Sequence, residues 1–581
     1  MMGTHGVSLF SRPRHLRIVL CLAGALLWLA GCGPAPVATN APAATSAPVA
    51  TVAAPATTAP GAVQQPPAGT PKRGGSLVIS WEVGDPPTLD PYLNTSFRSQ
   101  EFAGFFYSRL LKFDSGPGIA ANAFIPSGDL ADKWEVSKDG LTYTFHLREN
   151  AKWHNKAPLN GRAVTADDVV YSFTRFMQVS PQKGNLAFVK EAKAVDAHNV
   201  TFTLNDAYAP FETIIAQPLL WIVPKELIDA DGDLSKRTIG TGPFIFEKYE
   251  KGSAVIGSRN PDYYQTGQPY VDEVQLLIIP DASTSIAGLR AKQIDWTTVL
   301  NAADRTSLLN TNPEIVMTDY TYNLLSFGYF RLDSPPFNDV RVRQAISLAL
   351  DRDETIKVLY EGRGHYDGIL PPGLDSYYLD PRGPNMGPNA KYFKRDVVAA
   401  KKLLADAGYP NGLKFPLIST LNAYGPTFNS GLELVIKQLK DAGIEATLAP
   451  QDYAAYISST YLGKFDAGSM VWGLETPVQE PHLYFFNMYH PKGARNHGGV
   501  SDPVLNDMID KEQRTLDKAD RKKQIDEIQR YLAEKLYYVP GTVIAQTIAA
   551  QPWLKGYFPQ SDYGYGGEWV PKAWLDGKPG K

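Results

Sequence analysis

The run Gly128-Asp129-Leu130-Ala131-Asp132-Lys133-Trp134-Glu135-Val136-Ser137-Lys138-Asp139-Gly140-Leu141-Thr142-Tyr143-Thr144-Phe145-His146-Leu147-Arg148 carries the reading of this chain. Within it, residues 141–147 alternate apolar and polar with period two, as a strand with one covered face does. Val200-Thr201-Phe202-Thr203-Leu204 repeats the alternation, and Ser76-Leu77-Val78-Ile79-Ser80-Trp81 reads as a further strand. From Gly74 to about Tyr320, strand-like segments alternate with short helices; beyond about residue 337, helices dominate. Asp339 opens one whose apolar face runs Val342, Ala345, Ile346, Ala349 and Leu350 at helical spacing. A second runs from Asp396 through Val397, Ala400 and Leu404 to Ala407, with Gly408 at C′ and Pro410 beyond as stop signals. A third, residues 432–442, stops at Gly443 and leads into a strand at 444–448. Helix, glycine stop, then strand is how α/β sheets are wound. No repeat of fixed period is visible.

At the start of the chain, Arg12, Arg14 and Arg17 precede a thirteen-residue apolar run, 18–30, which ends in Leu29-Ala30-Gly31-Cys32. A basic segment, a short apolar segment and small residues before a cut site read as a secretory signal. The run is too short for a spanning helix, which needs roughly 20 residues. The only other cysteine, Cys21, lies inside the segment to be removed, so the mature chain can form no internal disulfide and must rely on a large core. Residues 33–71 carry no charge and consist mostly of Ala, Pro, Thr and Val, a composition that cannot bury a core. In polyproline geometry such a linker reaches at most roughly 120 Å.

The remaining 510 residues, 72–581, imply two or more cores. Removing the three signal arginines leaves 54 Lys and Arg against 60 Asp and Glu, a net charge of −6, with no basic face for nucleic acid. The 30 Tyr, 25 Phe and 10 Trp suit sites that combine apolar area with a polar handle, though most such residues serve the core. No Gly-x-Ser-x-Gly or His-Glu-x-x-His motif is present. Ser180-Pro181-Gln182-Lys183 matches Ser-x-x-Lys without its companion motifs, so no enzymatic activity is expected. Thr165-Ala166-Asp167-Asp168 reads as a capped helix start rather than an acid/base pair, His146 and His154 as structural residues on or beside strands, and Asp90-Pro91 and 240–243 as turns.

Several of these segments carry a family resemblance. The opening run resembles the signature of family 5 extracellular solute-binding proteins, the peptide-type receptors of ABC importers. The likeness continues through Trp153-His154, residues 164–173, Thr88-Leu89-Asp90-Pro91, Gly240-Thr241-Gly242-Pro243-Phe244, residues 336–345, residues 402–409, and Phe465-Asp466 with Trp472-Gly473. The matches run in order across nearly the whole mature chain. Leu29 to Cys32 likewise resembles a lipobox, in which Cys32 would be diacylated and become the new N-terminus; two acyl chains suffice to hold a protein at a membrane. Residues 1–31 would then be a lipoprotein signal peptide, and 32–71 the lipid anchor and linker.

The resemblance implies a two-lobed α/β fold of the periplasmic-binding-protein kind (type II, with an extra inserted subdomain) that closes on its ligand by a hinge; such proteins are a standard instance of hinge closure. Lobe I is expected over 72–320 plus 540–581, with an inserted subdomain near 113–230, and lobe II over 321–539. It further implies an exported, membrane-anchored monomer that hands its solute to permease subunits, with no nucleic-acid partner, no cofactor and no metal. In peptide-binding relatives a carboxylate three residues after the lobe II tryptophan pairs with the peptide α-ammonium. Glu475 occupies that position after Trp472 and Gly473, as glutamate where aspartate is usual; a solvent-facing loop glutamate is the competing reading. Trp472 is expected as a cleft wall. Phe327 and Tyr329 are expected at the site, with Gly328 removing an amide that relatives commonly carry. Family members also take oligosaccharides and nickel complexes. His482, His490 and His497 fall close together, but without the tight spacing of a preformed metal site.

Overall fold

The computed structural model describes residues 69–579 apart from 82, 83, 95, 300, 375, 422, 423, 476, 559 and 562–565. The apolar run, Cys32 and the linker to residue 68 lie outside the described residues. A seven-stranded sheet has the order Val316–Tyr320, Gln546–Ala550, Trp296–Val299, Ser76–Trp81, Glu273–Ile278, Ala254–Arg259, Phe244–Glu250. Its central strand, Ser76–Trp81, runs parallel to both neighbours, and five of its six residues are buried. A five-stranded sheet has the order Ile444–Gln451, Leu413–Thr420, Met470–Glu475, Leu325–Phe330, Tyr538–Pro540. The chain passes from the first sheet to the second between Val316–Tyr320 and Leu325–Phe330. It returns from Tyr538–Pro540 through Thr542–Ile544 to Gln546–Ala550. The fold is a mixed α/β architecture in which two main sheets are joined by two crossings.

A third sheet, Ala131–Val136, Thr142–Leu147, Asn199–Leu204 and Val189–Ala194, contains the opening run. Strand Thr142–Leu147 buries every second residue, as its alternation predicts: Tyr143, Phe145 and Leu147 point inward. They meet an aromatic layer in which Phe145 packs edge-on to Phe202 at 5.7 Å and Tyr143 lies 4.3 Å from Phe211. Gly140 turns the hairpin at a φ of 71°, a region that costs other residues strain.

The predicted helices form over Val340–Ala349, Val397–Asp406 and Gly425–Asp441, with Gly408 and Gly443 left-handed beyond the last two. The third begins seven residues before the expected start: Gly425 opens it at a φ of 81°, and Pro426, Asn429, Ser430 and Gly431, residues that read as loop, form its first turns.

Several of the family-like segments prove to be mutually bonded. Asp90 receives both guanidinium nitrogens of Arg175, at 3.1 and 2.5 Å, and the amides of Tyr92 and Leu234. Thr165 is the N-cap of helix Ala166–Val179, and Asp168 accepts from the Thr165 amide at 2.9 Å and from Arg162 at 2.7 and 2.8 Å. His154 is fully enclosed and staples the turn at 240–243: Nδ1 accepts from the Gly240 amide at 3.2 Å, and Nε2 donates to the Gly242 carbonyl at 3.0 Å. Burial holds its pKa down at about 4, against a smaller upward pull from the Gly242 carbonyl. These residues are structural, as expected.

Candidate functional site

In α/β sheets, ligands bind outside the carboxyl ends of the strands. Strands Leu413–Thr420 and Met470–Glu475 run parallel, so Thr420 and Glu475 end at one edge of the five-stranded sheet. The chain enters this sheet from the other at the same edge, where Leu325 pairs with Glu475.

The antiparallel register then sorts the expected site residues by face. Phe327 pairs with Gly473 and Tyr329 with Val471, so Phe327, Tyr329, Gly473 and Glu475 share one face. Trp472 and Gly328 pair on the other. On the first face Phe327 and Tyr329 are buried under His497 and Tyr538, with Tyr329 4.8 Å from the His497 ring. Gly473 leaves room for the Tyr456 hydroxyl, which a Cβ would strike, and Tyr329 donates to that hydroxyl at 3.3 Å.

On the opposite face, Trp472 is 4% exposed and packs in a core with Met470 and Val539. Gly328 lies beneath it; a Cβ there would stand 3.1 Å from the indole and strike Met470. The missing side chain at 328 thus makes room for the tryptophan. The indole borders a pocket of about 40 Å³ with Ser326, Arg352, Tyr360 and Gly431. The Trp472 and Glu475 side chains leave the strand on opposite sides of the sheet.

Glu475 is 1% exposed, and both its oxygens are engaged. Oε1 receives the Tyr461 hydroxyl at 3.0 Å and an ion pair from Arg495 Nη1; Oε2 faces His497 Nε2 at 2.9 Å. The other ring nitrogen of His497 bonds the Tyr461 carbonyl. Burial pushes the carboxyl pKa up, but Arg495, His497 and Tyr461 more than offset it and hold it below the ordinary glutamate value. Burial likewise opposes the Arg495 charge, and Glu475 with Tyr461 overrides it, so that pKa is raised. Arg495 and Tyr461 carry no sequence signal as site residues: they lie 20 and 14 positions from Glu475, on a loop and a 3₁₀ turn.

The three histidines of 482–497 go to separate partners. His482 Nδ1 bonds Glu512 at 2.5 Å, inside a buried set with Arg521 and Glu480. His490 stacks on Phe486 at 4.7 Å, and His497 belongs to Glu475. Among the described residues, no three His, Cys, Asp or Glu converge as a metal site.

Gln479, on the loop after Glu475, and Arg521, on helix Lys518–Lys535, line a cavity of about 460 Å³, within the range of small-molecule sites. Its other walls include Phe124, Tyr143, Glu212, Tyr377 and Leu516, so it lies between the third sheet's segment and the helices around the five-stranded sheet. Among the described residues, no helix is long and apolar enough to cross a membrane.

Residues 126–496 match the family described as bacterial extracellular solute-binding proteins, family 5 Middle. Heme-binding protein A of Haemophilus influenzae is 29% identical over 489 residues, covering 79% of this chain and 85% of that one. The dipeptide-binding protein of Escherichia coli is 28% identical over 515 residues, covering 83% and 91%. A solved periplasmic binding protein, DppA from Helicobacter pylori in complex with the peptide STSA, superposes with a TM-score of 0.70 at 27% identity, covering 87% of this chain and 98% of that one.

Proposed function

The chain belongs to family 5 of the bacterial extracellular solute-binding proteins, and from that premise we propose that it is the capture receptor of an ABC importer for oligopeptides. The observation that carries this reading is the family match through residues 126–496, joined to peptide-binding relatives over most of both chains. The physics suits the task. Two sheets joined by two crossings can swing about those crossings, enclose a solute and strip it of water, and the permease then selects the closed, loaded form. The receptor needs no chemistry of its own, and we assign it no enzymatic activity. Cys32 would carry the lipid anchor, and the 33–71 linker would let a monomeric receptor reach its permease from the outer face of the cell membrane or within the periplasm.

Mass spectrometry of whatever co-purifies with the mature protein, followed by calorimetry with a pool of di- to hexapeptides, tests the ligand class. Peptides retained and rebound support the reading; tight binding of an oligosaccharide with no peptide binding overturns it. Cys32→Ser should leave the protein unlipidated and shed from the membrane fraction.

A further inference from the structure

A third link runs beside the two crossings, and its consequence for solute binding rests on the receptor reading above. The first crossing lies between Tyr320 and Leu325, the second between Ile544 and Gln546. Residues 361–367 follow helix Arg352–Leu359, which Arg352 ties to the five-stranded sheet by placing two guanidinium nitrogens on the Pro540 carbonyl, at 3.0 and 2.6 Å. At the end of this arm Asp367 is fully buried and bonded to both chain passages on that side. Its Oδ2 accepts the Ser326 amide at 2.8 Å, and its own amide donates to the Gly541 carbonyl at 3.1 Å. The Gly541 amide closes the ring on the Ser326 carbonyl at 2.7 Å. Strand Gly364–Tyr366 pairs antiparallel with Thr542–Ile544, just before the second crossing. His365 Nε2 lies 3.3 Å from Thr321 Oγ1, in the first.

The outer turn of the arm reaches the other sheet. The Arg363 carbonyl accepts the Ala545 amide at 2.9 Å, on the second crossing itself. Arg363 Nη1 donates to Thr547 Oγ1 at 3.0 Å and stands 3.5 Å from Asp319 Oδ1. Asp319 and Thr547 pair across two strands of the seven-stranded sheet, and Arg305 donates to the other Asp319 oxygen at 3.1 Å. The Thr306 hydroxyl, on helix Ala302–Thr311, is 3.5 Å from Glu361. An arm built on one half thus grips the other half past both crossings. A rotation about the crossings carries Asp367 with the five-stranded sheet and leaves Asp319 and Thr547 behind. Hydrogen bonds weaken steeply over about an ångström, so the grip of Arg363 belongs to one position of the hinge. With Arg363 17% exposed and Asp319 33%, the pair is screened less than one on the open surface.

We propose that residues 361–367 brace the hinge and that Arg363, at the tip, sets solute affinity through the hinge rather than through contact with the solute. It does so by holding the two halves in the arrangement in which residues 206–209 meet 482–514. Distances between paired spin labels test this with no solute needed. The labels go on Lys193→Cys and Lys511→Cys, exposed positions on strand Val189–Ala194 and helix Pro503–Glu512, in the mature chain carrying Cys32→Ser. Arg363→Gln should move the distance distribution to longer separations, in solute-free protein or in protein holding the solute that co-purifies. Arg363→Lys, which keeps the cation, should move it less. Thr547→Val removes the hydroxyl partner from the other half and should move it in the same direction; melting curves check that each variant folds. Calorimetry with the tightest-binding member of a di- to hexapeptide pool should show Kd weakened about threefold or more by Arg363→Gln. Distances unchanged in both states, or shortened, overturn the proposal, and so does an unchanged peptide affinity. If the wild type binds no peptide, the peptide reading has failed instead, and the label distances alone decide the brace.

Discussion

His154 shows how a single residue can tie two distant segments and leave a measurable signature. Its neutral ring accepts from Gly240 and donates to Gly242, and protonation would remove the acceptor while charging a buried ring. Its folded pKa of about 4 lies below the unfolded histidine value, so the unfolded chain takes up the proton first as pH falls. The stability this contributes is complete above about pH 6.5 and is lost progressively down to about pH 4. The full span is worth about 3 kcal/mol. Urea midpoints of the wild type and His154→Gln, compared from pH 7.5 to 4.5, should converge as the pH drops; parallel curves would refute the assignment. The turn it staples is equally exacting. A Cβ on Gly242 would stand 2.6 Å from the Phe106 carbonyl carbon, and backbone cannot step aside. Gly242→Ala should cost about 1–3 kcal/mol, read as a lowered urea midpoint with the slope unchanged.

Helix Gly425–Asp441 presents the opposite case at Gly431. This residue pays the entropy of an interior helical glycine, yet an added Cβ would meet only Leu359, at an ordinary 3.7 Å, beside the small pocket under Trp472. Gly431→Ala should therefore stabilise by about 0.5–1 kcal/mol, checked by the same unfolding measurement; destabilisation would mean the pocket is too tight for a methyl. That helix also marks how far the sequence can be read. Its C-terminal half announces itself through Leu432, Val435 and Leu439, all buried, followed by the left-handed Gly443. Its first turns are written in loop residues, which local propensity does not mark as helix. Period-two alternation found strand Thr142–Leu147 for the same reason, because one face of it is covered. Strand Leu325–Phe330 is buried on both faces, so alternation cannot say which side Phe327 and Gly328 occupy. The pairing partner decides, and it set Trp472 and Glu475 on opposite faces. Position Glu475 was legible from the resemblance; its partners Arg495, His497 and Tyr461 converge only in three dimensions.

For the whole molecule, the contacts between the third sheet's segment and the helices around the five-stranded sheet bear on the closing motion proposed above. Ala209 donates its amide to the Gln513 carbonyl at 2.6 Å, Asp206 pairs with Arg514 at 2.6 Å, and Tyr208 sits edge-on to His482 at 5.4 Å. Asn122 reaches the Pro372 carbonyl at 3.4 Å. The Asn122 contact lies against the first crossing, since Gly373 packs on Asn323, whereas a hinge at 320–325 and 544–546 would part residues 206–209 from 482–514. The Asp206–Arg514 pair is 62% and 50% exposed, which makes it worth little to folding, about 0.2–1 kcal/mol. In the closing motion proposed above the pair forms only when the halves meet, so that small energy would act on the open–closed balance rather than on the folded state as a whole. Asp206→Lys places two cations face to face and should weaken solute binding about two- to fivefold through a less populated closed form. The unfolding midpoint of the solute-free protein should hold within about 0.5 kcal/mol, since surface changes of this kind seldom do more. Small-angle scattering adds the geometric readout: the variant's solute-free radius of gyration should equal or exceed the wild type's, and saturating solute should bring both to the same compact value. An unchanged affinity would place these contacts outside the closing motion.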